Sequence, residues 1–386
     1  MSEHPTGAPA LSSAPDPPDT VGGMRHLVEL GEAPSPAILD GALSLALATG
    51  ATVRLVGPLA GADASLVLAA ARIGDADKLD EARAGIAQSA PIELAFGHAR
   101  AGVHTLDLPD DGAVPRALWS FAWPLALLGR PSELRLAGPN HTEGVATFHD
   151  LRLGWAPLAA RFGLKVSLEL LRAGFAGEAG ELSASLDPAP ALTPLHIVHR
   201  GILRQVALVA ATAEGRDEEP LRAAQAAARK LRAHGVNAES ERVPLPHSQG
   251  SRAGRWALTA VAEFENSLVS ASALGTPRER PALLGPESPQ APEAVGEKVA
   301  ERIGRFLRGG GAIDGRMAER LLVPSILCAS GLGARAGTPP TCHFTTSVVT
   351  DGLVSLATLA RRMLPVRAVV DGAVGEEGVV VVAPLA

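Results

Sequence analysis

The sequence predicts an α/β (α+β) protein in which three βαβαββ units form one large domain, with a small α/β unit inserted between the second and third. Three observations predict it. Strand-like and helix-like segments recur in the same order at intervals of about 80 residues. Residues 200–275 interrupt that order with a pattern of their own. The stretch GTPRERPALLGPESPQAPEAVG, with five prolines, then leads back to it and is expected to be extended.

The first 23 residues, MSEHPTGAPALSSAPDPPDTVGG, are rich in Pro, Ser and Ala and read as a disordered tail. They have no basic start followed by an apolar run, so they are not a targeting segment. Folded sequence is expected from Met24. MRHLVEL alternates as a strand does, and PAILDGALSLALATG is apolar on nearly every side, which requires a buried helix. ATVRLVG reads as a strand and ADASLVLAAARIGDA as a helix, with PIELAFG and GVHTLDLP as return strands. The order then repeats. VPRALWSFAWPLALLG is helical, SELRLAG a strand, TFHDLRLGWAPLAARFG a helix, and KVSLELLRAGF and GELSASLDP are strands.

In the interruption, ILRQVALVAA is a strand and DEEPLRAAQAAARKLRAHG an amphipathic helix with Leu221, Ala224, Ala228 and Leu231 on one side. VNAESERVP, GRWALTAVAEFE and SLVSASALG are further strands. The third unit opens with PEAVGEKVAERIGRFLRGGG, where Val295, Val299, Ile303 and Phe306 recur at helical spacing. Its GGG is a helix stop and not a phosphate loop, because no strand precedes it. An apolar run, the helix TTSVVTDGLVSLATLARRML and the strands VRAVVDG and GVVVVAP close the chain. The expected division is therefore 1–23 tail, 24–198 units one and two, 199–290 inserted unit with its return linker, and 291–386 unit three.

Composition narrows the function. A chain of 386 residues suits two domains, or one large domain carrying an insertion. Eight Phe, four Trp and no Tyr leave few rings on which bases could stack. A net charge of −6 gives no overall basic footprint for nucleic acid. One local excess runs from Lys298 through Arg302, Arg305, Arg308, Arg316 and Arg320 to Arg335, and reads by default as a solvated helix face with loop charges. Two cysteines form neither a disulfide framework nor a CxxC zinc pattern, which favours the reducing cytoplasm. No run approaches the roughly 18 apolar residues of a membrane span, so no membrane partner is expected.

The candidate reactive residue is His343, in PPTCHFTTSVVT. On its own it is a nucleophile, a metal ligand or a structural imidazole. Cys342 reads as a small core side chain. His196 and His199, three apart on a strand, point to opposite faces and do not share a metal. His141, Glu143, His149 and Asp150 fall within ten positions, a common coincidence, and no metal site is expected.

This element order, together with GALSLALATG, GPNHTEGVATFHDLRLGWAPLAARFGL, LRAGFAGEAGELSASLDP, SRAGRWALTAVAEFE, AERLLVPSILCASG and TCHFTTSVVTDGLVSLATLARRMLPV, resembles the RNA 3'-terminal phosphate cyclase family from about Met24 to the C-terminus. The resemblance implies a histidine that takes AMP from ATP and passes it to an RNA 3'-phosphate, whose neighbouring 2'-hydroxyl closes the cyclic phosphate. His343, with Thr346 three residues on, stands at that nucleophile. The resemblance further implies ATP and Mg2+ as cofactors, a nucleotide and RNA 3' ends as partners, and Arg316, Glu319, Arg320 and Asn140 as nucleotide-contacting residues.

The chain departs from the family pattern where phosphate is handled. The glycine-rich opening reads GEAPSPAILDG, with Pro34, Pro36 and Asp40, the last in place of an arginine. No Arg, Lys, His or Gln occurs between Val56 and Ala71, and Glu319-Arg320 and Arg316 replace an Asp-Gln pair and an aromatic. Phosphoryl transfer needs cationic donors aimed at the developing charge. The expected function is a cyclase of this type if Arg316, Arg320 and Arg335 converge on His343. The alternative is a catalytically degenerate relative that binds RNA or protein without cyclising. A further alternative is an enolpyruvyl transferase, a class built on the same repeat.

Overall fold

A computed structural model describes residues 27–32, 34–74, 79–95, 97–212, 218–246, 255–275, 291–332 and 340–385. The tail 1–23, the start at Met24, most of the return linker and Arg335 lie outside these residues.

The first unit contains β1 (Leu27–Leu30), α1 (Pro36–Thr49), β2 (Thr52–Leu55), α2 (Gly61–Ile73), α3 (Leu79–Gln88) and β3 (Ile92–Ala95). Pro36 opens α1, where its missing N–H costs nothing. Gly50 ends the helix in the left-handed conformation, donating to the Ala46 carbonyl at 2.8 Å. Between these signals Leu39, Leu43, Leu45 and Leu47 are fully buried, as the all-round apolar pattern requires. α1 can lie against the third unit because Gly41 has no side chain; a Cβ there would collide with Leu356.

The second unit contains β4 (Val103–Asp107), α4 (Ala113–Ala126), β5 (Ser132–Ala137), a π-helical turn at Asp150–Trp155 running into α5 (Ala156–Arg161), then β6 (Val166–Arg172) and β7 (Glu181–Leu186). The third begins with the short β8 (His196–Ile197). It resumes with α8 (Gly315–Ala329), β13 (Cys342–Thr346), α9 (Asp351–Met363), β14 (Val366–Asp371) and β15 (Gly378–Pro384). Between them lie β9 (Leu203–Thr212), α6 (Glu219–Ala233), β10 (Glu239–Pro244), β11 (Trp256–Phe264), β12 (Leu268–Gly275) and α7 (Pro292–Arg308).

Sheet topology displays the repeat directly. The second sheet has the order β4-β5-β7-β6 and the third β8-β13-β15-β14. In both, the first pair is parallel and the next two are antiparallel. The first sheet, β1-β2-β3, has the same parallel and then antiparallel pairing with three described strands. The α/β class and the element order thus hold, with one reassignment. GVHTLDLP, expected to close the first unit, pairs as β4 with β5 and opens the second.

Strands β10-β9-β11-β12 form a separate sheet. Its core includes Val206, Leu208, Leu231, Trp256 and Leu258. The stripe Val295, Val299, Ile303 and Phe306 of α7 belongs to that same core and not to the third unit's. Arg200 ties the two ends of this segment together, donating to the carbonyls of Phe306 (2.6 Å), Leu307 (2.9 Å) and Gly309 (2.8 Å) at the C-terminus of α7. We therefore propose that the inserted unit spans residues 199–308, extending past the expected boundary at 290.

Candidate ligand site

Helices from all three repeats meet at one cavity: α1 from the first, α4 from the second, and α8 and α9 from the third. It encloses about 290 Å³, and three carboxylates and three guanidinium groups line it: Asp40, Asp111, Glu319, Arg116, Arg316 and Arg320.

Arg116 is the one charged residue in α4, a helix buried along its whole length, Arg116 included. A buried guanidinium requires paired partners. Its Nε donates to both carboxylate oxygens of Asp40 at 3.0 and 3.1 Å, and its Nη2 to Oδ1 at 2.7 Å. Its Nη1 lies 2.7 Å from Asp63 on α2. Burial opposes the charge of Arg116, but the two carboxylates outweigh it and hold the pKa above its ordinary value. Asp40 responds to the same burial with a carboxyl raised from 3.8 to about 6, despite the attraction of Arg116.

The opposite wall is α8. Asp314 caps it, accepting from the backbone N–H groups of Arg316 and Met317 at 3.1 Å each. Arg316 extends to the Gly144 carbonyl at 2.8 Å. Arg320 lies over the Trp119 ring, Cζ 3.3 Å from its centroid, and burial lowers its pKa to about 10. Glu319 is raised by burial and accepts from Thr350 Oγ at 2.5 Å. Thr350 also caps α9 through the Leu353 N–H, so the expected helix TTSVVTDGLVSLATLARRML starts only at Asp351, and its first two residues belong to β13.

Arg316, Glu319 and Arg320, expected together, are brought together. His343 is not among them. Along β13, Cys342, Phe344 and Thr346 are buried and His343 and Thr345 alternate with them. Cys342 and Phe344 are buried in the same core as Cys328 of α8, and α8 packs on β13, so the buried face of β13 is the one that faces α8. The His343 ring therefore projects to the other face of the sheet, beside its register partner His196. Its backbone N–H donates to the Leu195 carbonyl at 2.8 Å. Thr346 is fully buried and donates to the Val348 carbonyl at 3.0 Å. Arg335, the remaining arginine expected here, lies outside the described residues.

Asn140 is also away from the cavity. It is fully buried, with Nδ2 donating to the Arg172 carbonyl at 2.9 Å and Oδ1 accepting from the Gly174 N–H at 3.0 Å. Its role there is to pin the loop after β5 to the β6–β7 hairpin. Beside it His141 stacks on Phe175, and burial lowers the pKa of His141 to about 3 and of His149 to about 4. The same loop delivers Gly144 and Val145 to the cavity rim. Among the described residues no group of three or more His, Cys, Asp or Glu is arranged to hold a metal ion, and no helix is long and apolar enough to cross a membrane.

Three repeated sheets, an inserted α/β unit and a cavity shared by helices of all three repeats define an α/β repeat protein with an inter-repeat ligand site. A family model for RNA 3'-terminal phosphate cyclase matches residues 37–370, and the chain belongs to that family. It is 27% identical over 308 residues to an RNA 3'-terminal phosphate cyclase of Nostoc punctiforme, covering 76% of this chain and 83% of that one. It is 30% identical over 308 residues to the protein of that name from Methylococcus capsulatus (75% and 80%). A third relative so named, from Pseudomonas fluorescens, is 29% identical over 363 residues (89% and 94%).

Toward the triphosphate of ATP the cavity offers Arg316 and Arg320, whose guanidinium groups have no carboxylate within ion-pair distance among the described residues. Its most tightly held guanidinium, Arg116, is committed to two carboxylates, and the lining supplies as many acids as bases. Arg116, Trp119 and Asp63 were not singled out in the sequence. The available signal was the single charge inside VPRALWSFAWPLA, which a buried helix carries only with a partner.

Proposed function

We propose that this chain is a binding member of the cyclase family, receiving an RNA 3' end in the cavity between α1, α4, α8 and α9 without adenylating or cyclising it. One observation carries the reading: the alternation of β13 turns His343 to the face of the strand away from α8, while the arginines that would serve it lie on α8 and α4. A nucleophile and the donors that stabilise its transition state must converge on one reacting atom. Family membership supports RNA as the ligand class, and the family match sets the enolpyruvyl transferase alternative aside. ATP turnover and Mg2+ are not part of the proposal. Its setting is the cytoplasm, where the free thiols Cys328 and Cys342 stay reduced.

The test uses a 5'-labelled oligoribonucleotide bearing a 3'-phosphate, with ATP and Mg2+, read both for binding by fluorescence anisotropy and for 2',3'-cyclic ends by product analysis. Expected is saturable binding of RNA with no cyclic product. Cyclic phosphate formation, or RNA that does not bind at all, overturns the proposal.

A further inference from the structure

We propose that Glu143 is a positioning residue for the cavity: through it the inserted unit holds the loop after β5 where the Gly144 carbonyl orients Arg316. The inference deepens the RNA-binding reading above and rests on it for the first of its two tests.

The loop closes into a tight turn at its tip. Thr142 and Ala146 pair across it, and Gly144 takes a φ of 76°, in the left-handed region that glycine enters without strain. One side of the tip faces the cavity. Gly144 and Val145 line it, and the Gly144 carbonyl is the only hydrogen-bond partner of the Arg316 guanidinium among the described residues, at 2.8 Å. A long side chain held by one bond points where its acceptor stands, so the loop sets the direction of Arg316.

The other side of the tip faces the inserted unit. Glu143 accepts from the Leu274 backbone N–H at 2.9 Å and from Lys298 Nζ of α7 at 2.6 Å. Leu274 lies on β12, the edge strand of the inserted sheet, so Glu143 takes an N–H at an edge that has no further strand. Beyond the tip, Thr147 Oγ1 lies 3.0 Å from Thr259 Oγ1 of β11, and Asp150 is hydrogen-bonded to Ser272 of β12. The inserted unit therefore grips the loop on both sides of Gly144. Neither Glu143 nor Lys298 lines the cavity, so each acts on it only through the loop. The Lys298–Glu143 pair is half-exposed and adds little to stability, which leaves the fold in place when it is changed.

The first test measures binding of a 5'-labelled oligoribonucleotide bearing a 3'-phosphate, by anisotropy at about 0.15 M salt. Glu143→Lys and Lys298→Glu should each weaken binding about fivefold. Glu143→Lys adds positive charge, which by electrostatics alone tightens RNA binding, so a loss there reports position and not charge. Combining the two substitutions restores the ion pair in reverse and should return most of the affinity. In an Arg316→Ala background, Lys298→Glu should cost nothing further. Unchanged affinity in the single variants overturns the inference, and so does a loss that adds in full to that of Arg316→Ala. The second test needs no RNA. Arg316→Ala should speed hydrogen exchange of the Leu274 amide about threefold, because freeing Gly144 loosens the hold of Glu143 on β12. Wild type that binds no RNA overturns the RNA-binding reading alone, and the exchange rate then decides the coupling: an unchanged rate at Leu274 overturns it.

Discussion

Replacing Arg116 with leucine should destabilise the protein by roughly 3 to 5 kcal/mol, the cost of breaking a buried ion pair by removing one partner. The side chain of Arg116 is only 9% exposed, and Asp40 is 18% exposed, so solvent does little to screen the two acids once the guanidinium is gone. Asp40 would then face Asp63 without a counterion. The loss should shrink as pH falls, because protonation removes the repulsion that the substitution creates. Asp40→Asn should cost less, since an amide oxygen still accepts from Arg116 and Asp63 still pairs with it. Urea unfolding at neutral and acidic pH measures both effects. A loss below about 1 kcal/mol for Arg116→Leu would mean the triad behaves like an exposed surface pair.

The second large effect is acid sensitivity from the loop after β5. His141 and His149 are buried neutral, with folded pKa values of about 3 and about 4 against an ordinary 6.5. Between those values the unfolded chain binds more protons than the folded one, so stability contributed by each histidine is present above pH 6.5 and is lost as pH falls toward the folded pKa. Asp40 acts with the opposite sign: its carboxyl is raised, so the folded state holds the extra proton between about 4 and 6 and gains stability there as pH falls. Asp314 and Glu319, also raised by burial, act in the same direction as Asp40. A difference measurement separates the histidine contribution from these. The stability gap between wild type and His149→Gln should shift by about 2 to 3 kcal/mol in favour of the variant between about pH 7 and about pH 4.5. A gap that stays constant over that range would show that His149 takes up its proton in the folded protein as readily as in the unfolded one.

Much of the fold was legible because periodicity reports burial. The all-round apolar α1 had to be central, and it is packed by helices of the other repeats. Periodicity says that a face is buried but not against what. The stripe Val295, Val299, Ile303 and Phe306 was read as part of the third unit because that unit comes next in the chain, yet it packs on the inserted sheet. GVHTLDLP followed the first unit's strands in sequence, while its parallel pairing with β5 is a long-range choice. α3, with no strong apolar face, was not seen at all.

The site was legible in part. Arg316, Glu319 and Arg320 follow one helical ridge and share a cavity, as i, i+3 and i+4 positions on one face must. His343 is set apart from them by strand parity. Cys342 and Phe344 are the apolar members of CHFTT, so the alternation itself assigns His343 to the face away from the core. The position of Asp40 was noted only as a lost arginine. In the structure it is one half of a pair whose arginine comes from a different repeat, 76 residues away, a relation carried by no local pattern.

The central claim is that covalent nucleotidyl chemistry does not run through His343, because the alternation of β13 turns the histidine away from α8, the helix that carries Arg316 and Arg320. Incubation of wild type and His343→Asn with α-labelled ATP, followed by denaturing separation and an acid-lability check, tests it most directly. The account predicts no acid-labile AMP–protein in either. Labelled wild type that loses its label in His343→Asn would contradict it, placing the reacting histidine and its donors together in the working protein.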